Sequence, residues 1–208
     1  MITVEGGEIQ EVPCYQYLGD LIERSGSAER AVRSRVAFGW SKWRELRGVL
    51  GNRSIPLPFR ARVYNSCVRP AILYGAETWA LTRKLEDVLQ KCDRRMLRYM
   101  AGVSLRDGVS SEEVLRRCKL GDIVKILRSR RLKWFGHVAR REEESPLKCV
   151  EAIVVPGRVP PGRPRKTWKD CVAEDLQMLG VTEDSARDRE EWNGIINRLT
   201  STQGTQRR

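Results

Sequence analysis

The chain is poor in histidine: His137 is the only one among 208 residues. A lone imidazole without suitably spaced serine and aspartate partners supports no Ser-His-Asp relay. The six cysteines, Cys14, Cys67, Cys92, Cys118, Cys149 and Cys171, form no C-x-x-C pair, and none lies within ten residues of His137. Zinc knuckles gather their ligands in one short loop, so no structural metal site is expected; the thiols are expected to be buried and reduced. Long apolar runs are missing too. No stretch approaches the roughly 20 residues that span a bilayer. The start, Met1-Ile2-Thr3-Val4-Glu5, has neither the basic nor the apolar segment of a secretory signal. These absences lead to the expectation of an intracellular protein, nuclear or cytoplasmic, with no membrane partner and no small-molecule substrate. No internal repeat is visible, and no two aspartates are adjacent anywhere.

What the chain has is positive charge. Lys and Arg number 39 against 27 Asp and Glu, for a formal net charge of +12. Residues 116–141 hold ten basic side chains and one acid, Asp122, while residues 158–169 hold five basic side chains and no acid. The two stretches together exceed the net charge of the whole chain, so the remainder is slightly acidic. Charge this concentrated suits a polyanion. Aromatic residues sharpen the reading. Arg130-Arg131-Leu132-Lys133-Trp134-Phe135-Gly136-His137-Val138-Ala139-Arg140-Arg141 and Gly162-Arg163-Pro164-Arg165-Lys166-Thr167-Trp168 each set guanidinium groups beside an indole. A phosphate backbone is held by fixed cations, and unpaired bases stack on flat apolar rings. Arg130, Arg131, Lys133, His137 and Arg140 form one candidate contact set. Arg163, Arg165 and Lys166 form a second, in a loop leading to a helix N-terminus that itself favours anions. The two sets are expected to merge into one cationic surface.

Hydropathy periods divide the chain. Residues 1–27 read as an acidic strand-and-turn element: Ile2 and Val4 alternate with polar residues, Gly6-Gly7 turns, and residues 15–22 form a further extended or hairpin piece broken by Gly19. So small a sheet is marginal alone and is expected to be the trailing edge of a larger domain. A helical period then places Val32, Val36, Trp40, Trp43, Leu46 and Leu50 on one face. A second helix over 59–79 is expected to be kinked or divided in two by Pro70. A third runs over 82–102, and Ser110 with Glu113 caps a fourth over 111–118. The first basic block rides on a fifth helix over 122–140. Loop residues then surround a short β-branched piece, 150–155. A sixth helix covers 166–179, and Asp188 with Glu191 opens the last, through Trp192, Ile195, Ile196 and Leu199. The fold class is mainly α: a β element (1–27), a helical bundle (28–108), a basic helical module (109–199) and a disordered tail (200–208). Trp40, Trp43, Trp79, Trp192 and Trp134 are expected in the core. His137 reads equally as a contact residue or as a helix-end residue favoured by the dipole.

Five strings stand in a recognisable order: Tyr17-Leu18-Gly19; Pro70-Ala71-Ile72-Leu73-Tyr74-Gly75-Ala76-Glu77-Thr78-Trp79; Gly136-His137-Val138-Ala139-Arg140; Gly162-Arg163-Pro164 with Trp168; and Ala186-Arg187-Asp188-Arg189-Glu190-Glu191-Trp192. Together they resemble the C-terminal part of the reverse transcriptase polyprotein of non-LTR (LINE-class) retrotransposons, from about residue 15 to residue 192. The resemblance implies that Tyr17 and Gly19 end the polymerase palm and flank the primer terminus. The helices after them would form a thumb on the template–primer duplex, with Arg33, Lys42 and Arg44 facing it from the first helix. The C-terminal strings would help to hold template RNA or target DNA.

Polymerase chemistry needs aspartates that hold two Mg²⁺ ions. In the family these come from a palm strand and an aromatic-x-Asp-Asp turn upstream of the Tyr-Leu-Gly segment, and no adjacent aspartates occur here. Alone, the chain is therefore expected to be no enzyme and to need no cofactor, Mg²⁺ belonging with the palm. The Pro-Asp of a related nuclease and the histidine-cysteine knuckle of some relatives are also absent. The expected partner is RNA or an RNA–DNA hybrid, with target DNA as a further candidate. The alternatives are a domesticated DNA- or RNA-binding protein, with 111–118 and 122–140 as a helix-turn-helix, or a truncated pseudogene product. An interaction scaffold would instead expose large apolar patches.

Overall fold

A computed structural model describes residues 2–4, 7–9, 11–153 and 164–200. Two antiparallel hairpins open the chain. β1 (Ile2–Val4) pairs with β2 (Gly7–Ile9), and β3 (Cys14–Tyr17) pairs with β4 (Asp20–Glu23), with Tyr17 opposite Asp20. The described chain is helical thereafter, as the sequence predicts. The bundle starts with α1 (Glu29–Glu45), α2 (Arg47–Leu50), α3 (Leu57–Val63), α4 (Arg69–Ile72) and α5 (Arg83–Ala101). It continues with α6 (Ser111–Cys118), α7 (Ile123–Ala139), α8 (Pro146–Ala152), α9 (Trp168–Leu179) and α10 (Arg189–Thr200).

Local chemistry explains the boundaries. Pro70 lacks an N–H and its ring crowds the preceding turn, and the chain after α3 widens into a π turn over Tyr64–Val68 before α4. The β-branched piece expected at 150–155 is corrected in part: Ser145 accepts from the Lys148 N–H, Pro146 fills the first helical turn, and α8 follows. The remainder of that piece, from 154, lies outside the described residues, as does the tail from 201. Thr167 and Asp170 close a reciprocal capping box on α9. Ser110 caps α6 through the Glu113 N–H at 3.1 Å, but Glu113 does not reach back. Its carboxylate turns instead to Arg116 and Arg117, which hold its pKa down to about 2.

That depression fixes the sign of an acid effect. A carboxylate whose pKa is lowered on folding stabilises the fold above its ordinary value near 4.5 and loses that contribution as pH falls toward 2. Asp170 and Asp188 are lowered as well, chiefly by the N–H groups they accept from. Denaturant midpoints are therefore expected to fall with pH below about 4.5 in the wild type. In Glu113→Gln they should start lower at pH 7 and fall less steeply. A fall of equal steepness in the variant would refute the assignment.

Two apolar clusters fill the molecule. The first runs from Ala28 to Leu127 and is centred on Trp43, whose ring meets Tyr64 and Tyr99 edge-on at 5.9 and 5.8 Å. The second joins Leu132 and Phe135 of α7 to Val172, Leu176, Trp192, Ile195 and Ile196. Thus α7 belongs to both, packing against α5, α9, α10 and the short turn Ala76–Thr78. Trp43, Trp79 and Trp192 are buried as expected, while Trp40 is half-buried at the edge of the first cluster. Cys92, Cys118 and Cys171 are buried, and burial pushes the Cys92 thiol up to about 12. Cys67 and Cys149 are exposed, contrary to the expectation of buried thiols. Among the described residues no helix is long and apolar enough to cross a membrane.

Candidate nucleic-acid interface

The helical period sorts the basic block of α7 into two faces. Leu127, Arg131, Leu132, Phe135, Gly136 and Val138 are buried. Arg130, Lys133, Trp134, His137, Arg140 and Arg141 keep accessible surface. Arg131 is thus corrected from contact residue to core residue: it is 1% exposed, and its Nε donates to Asp175 at 2.8 Å. Trp134 is corrected in the opposite sense. It belongs to neither cluster, is half-buried, and stacks on His137 with ring centroids 5.4 Å apart and planes 24° from parallel. Arg141 lies 3.1 Å from the His137 Nε2; a guanidinium can only donate, so the imidazole accepts there.

Two shallow hollows lie along this face. The first, about 450 Å³, is lined by Glu77, Arg130, Lys133, Trp134 and His137. The second, about 540 Å³, is lined by Lys133, His137, Arg140, Arg141, Arg189, Trp192 and Asn193. Lys133 and His137 line both, so the hollows form one strip. Two of its cations are held in place by backbone carbonyls. Arg130 donates to the Leu73 carbonyl at 2.8 Å, and Arg140 donates to the Ala186 carbonyl. Backbone carbonyls orient a guanidinium without cancelling its charge.

The recurring strings meet one another in space. Tyr74 donates to the Leu18 carbonyl at 3.0 Å, and the Trp79 indole donates to Asp20 at 3.0 Å. Gly75 sits at φ +73°, and a Cβ there would lie 2.8 Å from an Asp20 carboxylate oxygen, so both backbone and space require glycine. From the other side, the Trp168 indole donates to the Glu77 carbonyl at 2.7 Å. The Trp192 indole donates to the Leu132 carbonyl at 2.9 Å. Much of what the strings carry is therefore packing: residues 73–79 tie the β3–β4 turn to α7 and α9.

The remaining candidates are dispersed. Gly19 is gripped through its carbonyl by Arg35, whose guanidinium lies 4.3 Å from the Tyr74 ring centre; Tyr17 is exposed beside it. On α1, Arg33 pairs with Glu29 and Lys42 with Glu45, at 2.7 and 2.6 Å, while Arg44 is exposed. None of these three lines either hollow. Arg165 and Lys166 line a different cleft, with Ser27, Thr82, Arg83 and Arg128. There Arg165 donates to the Ser25 carbonyl and Lys166 pairs with Glu174 at 2.6 Å. Arg163 lies outside the described residues. Among the described residues, Arg165 and Lys166 line neither hollow, so the expected merging of the two basic blocks is not seen there. Arg141, four residues after His137, was legible by helical spacing, whereas Arg189 and Glu77 arrive from other elements and left no local signal.

Set beside curated proteins, the chain is similar to a protein of transposon origin. That relative is the "Putative uncharacterized transposon-derived protein F52C9.6" of Caenorhabditis elegans, 23% identical over 215 residues that cover 93% of this chain and 74% of its own length. No family model matches the chain, and no solved structure matches it.

Proposed function

We propose that the chain is a nucleic-acid-binding C-terminal part of a non-LTR retrotransposon reverse transcriptase, which holds single-stranded or hybrid template without performing polymerisation. The similarity to a transposon-derived protein supports the origin. The observation that carries the binding is the strip on α7. Five cations, Arg130, Lys133, Arg140, Arg141 and Arg189, border a stacked Trp134–His137 pair. Cations in a row follow a phosphate backbone, and an accessible indole takes the face of an unpaired base.

Fluorescence anisotropy with labelled single-stranded RNA tests this. Roughly five phosphate contacts on a single strand predict an affinity loss on the order of 100-fold between 50 and 200 mM salt. A response flat over that range refutes the proposal. Trp134→Ala is expected to weaken RNA binding by about 1–3 kcal/mol. Because the ring lies outside both apolar clusters, the melting temperature should hold steady. Unchanged affinity in that variant would mean that the indole takes no part. With no adjacent aspartates in the sequence, primer extension with Mg²⁺ by this chain alone is expected to yield no product.

A further inference from the structure

We propose that the hollow between Glu77 and the Trp134–His137 stack accepts one unpaired guanine base of a single-stranded RNA. This deepens the nucleic-acid reading and rests on it. The starting observation is an acid where a polyanion site should have none. Among the residues lining the two hollows, Glu77 is the only acid. Its carboxylate makes no hydrogen bond or ion pair with any described residue, although Arg130 and Lys133 line the same hollow. A carboxylate that merely balanced neighbouring cations would be paired with one of them.

The position of Glu77 is fixed by its backbone. The turn Ala76–Thr78 packs on α7, the Glu77 carbonyl accepts the Trp168 indole N–H at 2.7 Å, and Gly75 before it is set by Asp20. The backbone from which the side chain joins the lining of the hollow is thereby fixed beside α7. An ionised carboxylate offers acceptors only. Among the RNA bases, guanine alone carries two adjacent donors on its pairing edge, the ring N1–H and the exocyclic N2 amino group. Two parallel N–H···O bonds to the two carboxylate oxygens follow from that match, in the bidentate form that is strongest for a charged acceptor. Adenine and cytosine set one amino group beside a ring-nitrogen acceptor, which faces the second oxygen unfavourably. Uracil sets its single N–H between two carbonyls. The Trp134 and His137 rings supply the flat surface against which the base lies, and Arg130 and Lys133 are placed for the flanking phosphates. A hollow of about 450 Å³ falls within the range of small-ligand sites.

The test uses the full chain and short oligouridylates that carry one central guanosine, adenosine, cytidine or inosine, read by anisotropy. The guanosine oligomer is expected to bind roughly tenfold or more tighter than the adenosine and cytidine oligomers. Inosine, which lacks the N2 amino group, should fall between. Glu77→Gln should reduce the guanosine preference to about twofold or less and raise affinity for plain oligouridylate, since a negative charge leaves the strip. Equal binding of all four oligomers by the wild type, or a guanosine preference that survives in Glu77→Gln, overturns the inference. In those cases salt-sensitive binding to oligouridylate would still leave the broader function standing. Absence of binding to every oligomer overturns both.

Discussion

Asp93→Ala is expected to lower folding stability by about 3–5 kcal/mol, the cost of stranding a buried charge. Asp93 on α5 accepts from the Arg69 Nε at 2.8 Å, from the Arg69 Nη2 at 2.9 Å and from the Tyr64 hydroxyl at 2.8 Å. Both charged side chains are only 2% exposed. Without the carboxylate, the guanidinium keeps only the Gly121 carbonyl at 2.9 Å and the Asn65 side chain at 3.3 Å, neither of which carries charge. For a chain of this size the loss corresponds to a melting temperature lower by roughly 10 °C. The pair itself need not be stabilising relative to an apolar core, because two ions were desolvated to make it. The combination Arg69→Met, Asp93→Leu and Tyr64→Phe is therefore expected to recover most of the lost stability. Asp93→Ala within about 1 kcal/mol of wild type in urea denaturation would show that the guanidinium escapes to water.

This network also marks the boundary of what the sequence discloses. Helix α6 was legible to the residue because its signals are local: Ser110 at the start and a period short enough to close at Cys118. Helix α8 carried an equally local signal, Ser145-Pro146, but the preceding run of glutamates reads as loop and hides it. Buried arginines are a different matter. Arg69 finds its acid 24 residues away and Arg131 finds its acid 44 residues away, on other helices. Nothing near either arginine reveals the partner, although the period of α7 already places Arg131 with Leu127 and Phe135 on the inner side. Trp134, three residues after Arg131 and seven after Leu127, falls by period near the inner side as well, so its accessibility was not legible from spacing. Of the candidate site, the α7 residues were visible as a pattern. The contributions of Glu77 and Arg189 were not, since they depend on how the turn after α4 and the start of α10 pack against α7.

Trp192→Ala is expected to cost about 3–5 kcal/mol as well, by a different route. The indole is 1% exposed, lies 6.1 Å from the Phe135 ring, and donates to the Leu132 carbonyl. Truncation leaves a cavity in the second cluster and frees α10 from α7. Arg189, carried on that helix, should then leave the strip, so RNA affinity falls even at temperatures where the variant stays folded. Gly136 supplies the control. A Cβ at that position would lie 2.3 Å from the Trp192 Nε1 and 2.6 Å from its Cδ1, so the helix can approach the indole only because the methyl is missing. Alone, Gly136→Ala is expected to destabilise by about 1–3 kcal/mol through overpacking. In the Trp192→Ala background the same methyl enters the vacated space, and alanine is the better helix former by about 1 kcal/mol. Its effect should change sign and become stabilising. Such a reversal in a double-mutant cycle is a direct measure of the glycine–indole contact. Equal destabilisation in both backgrounds would show that glycine is required there for some reason other than Trp192.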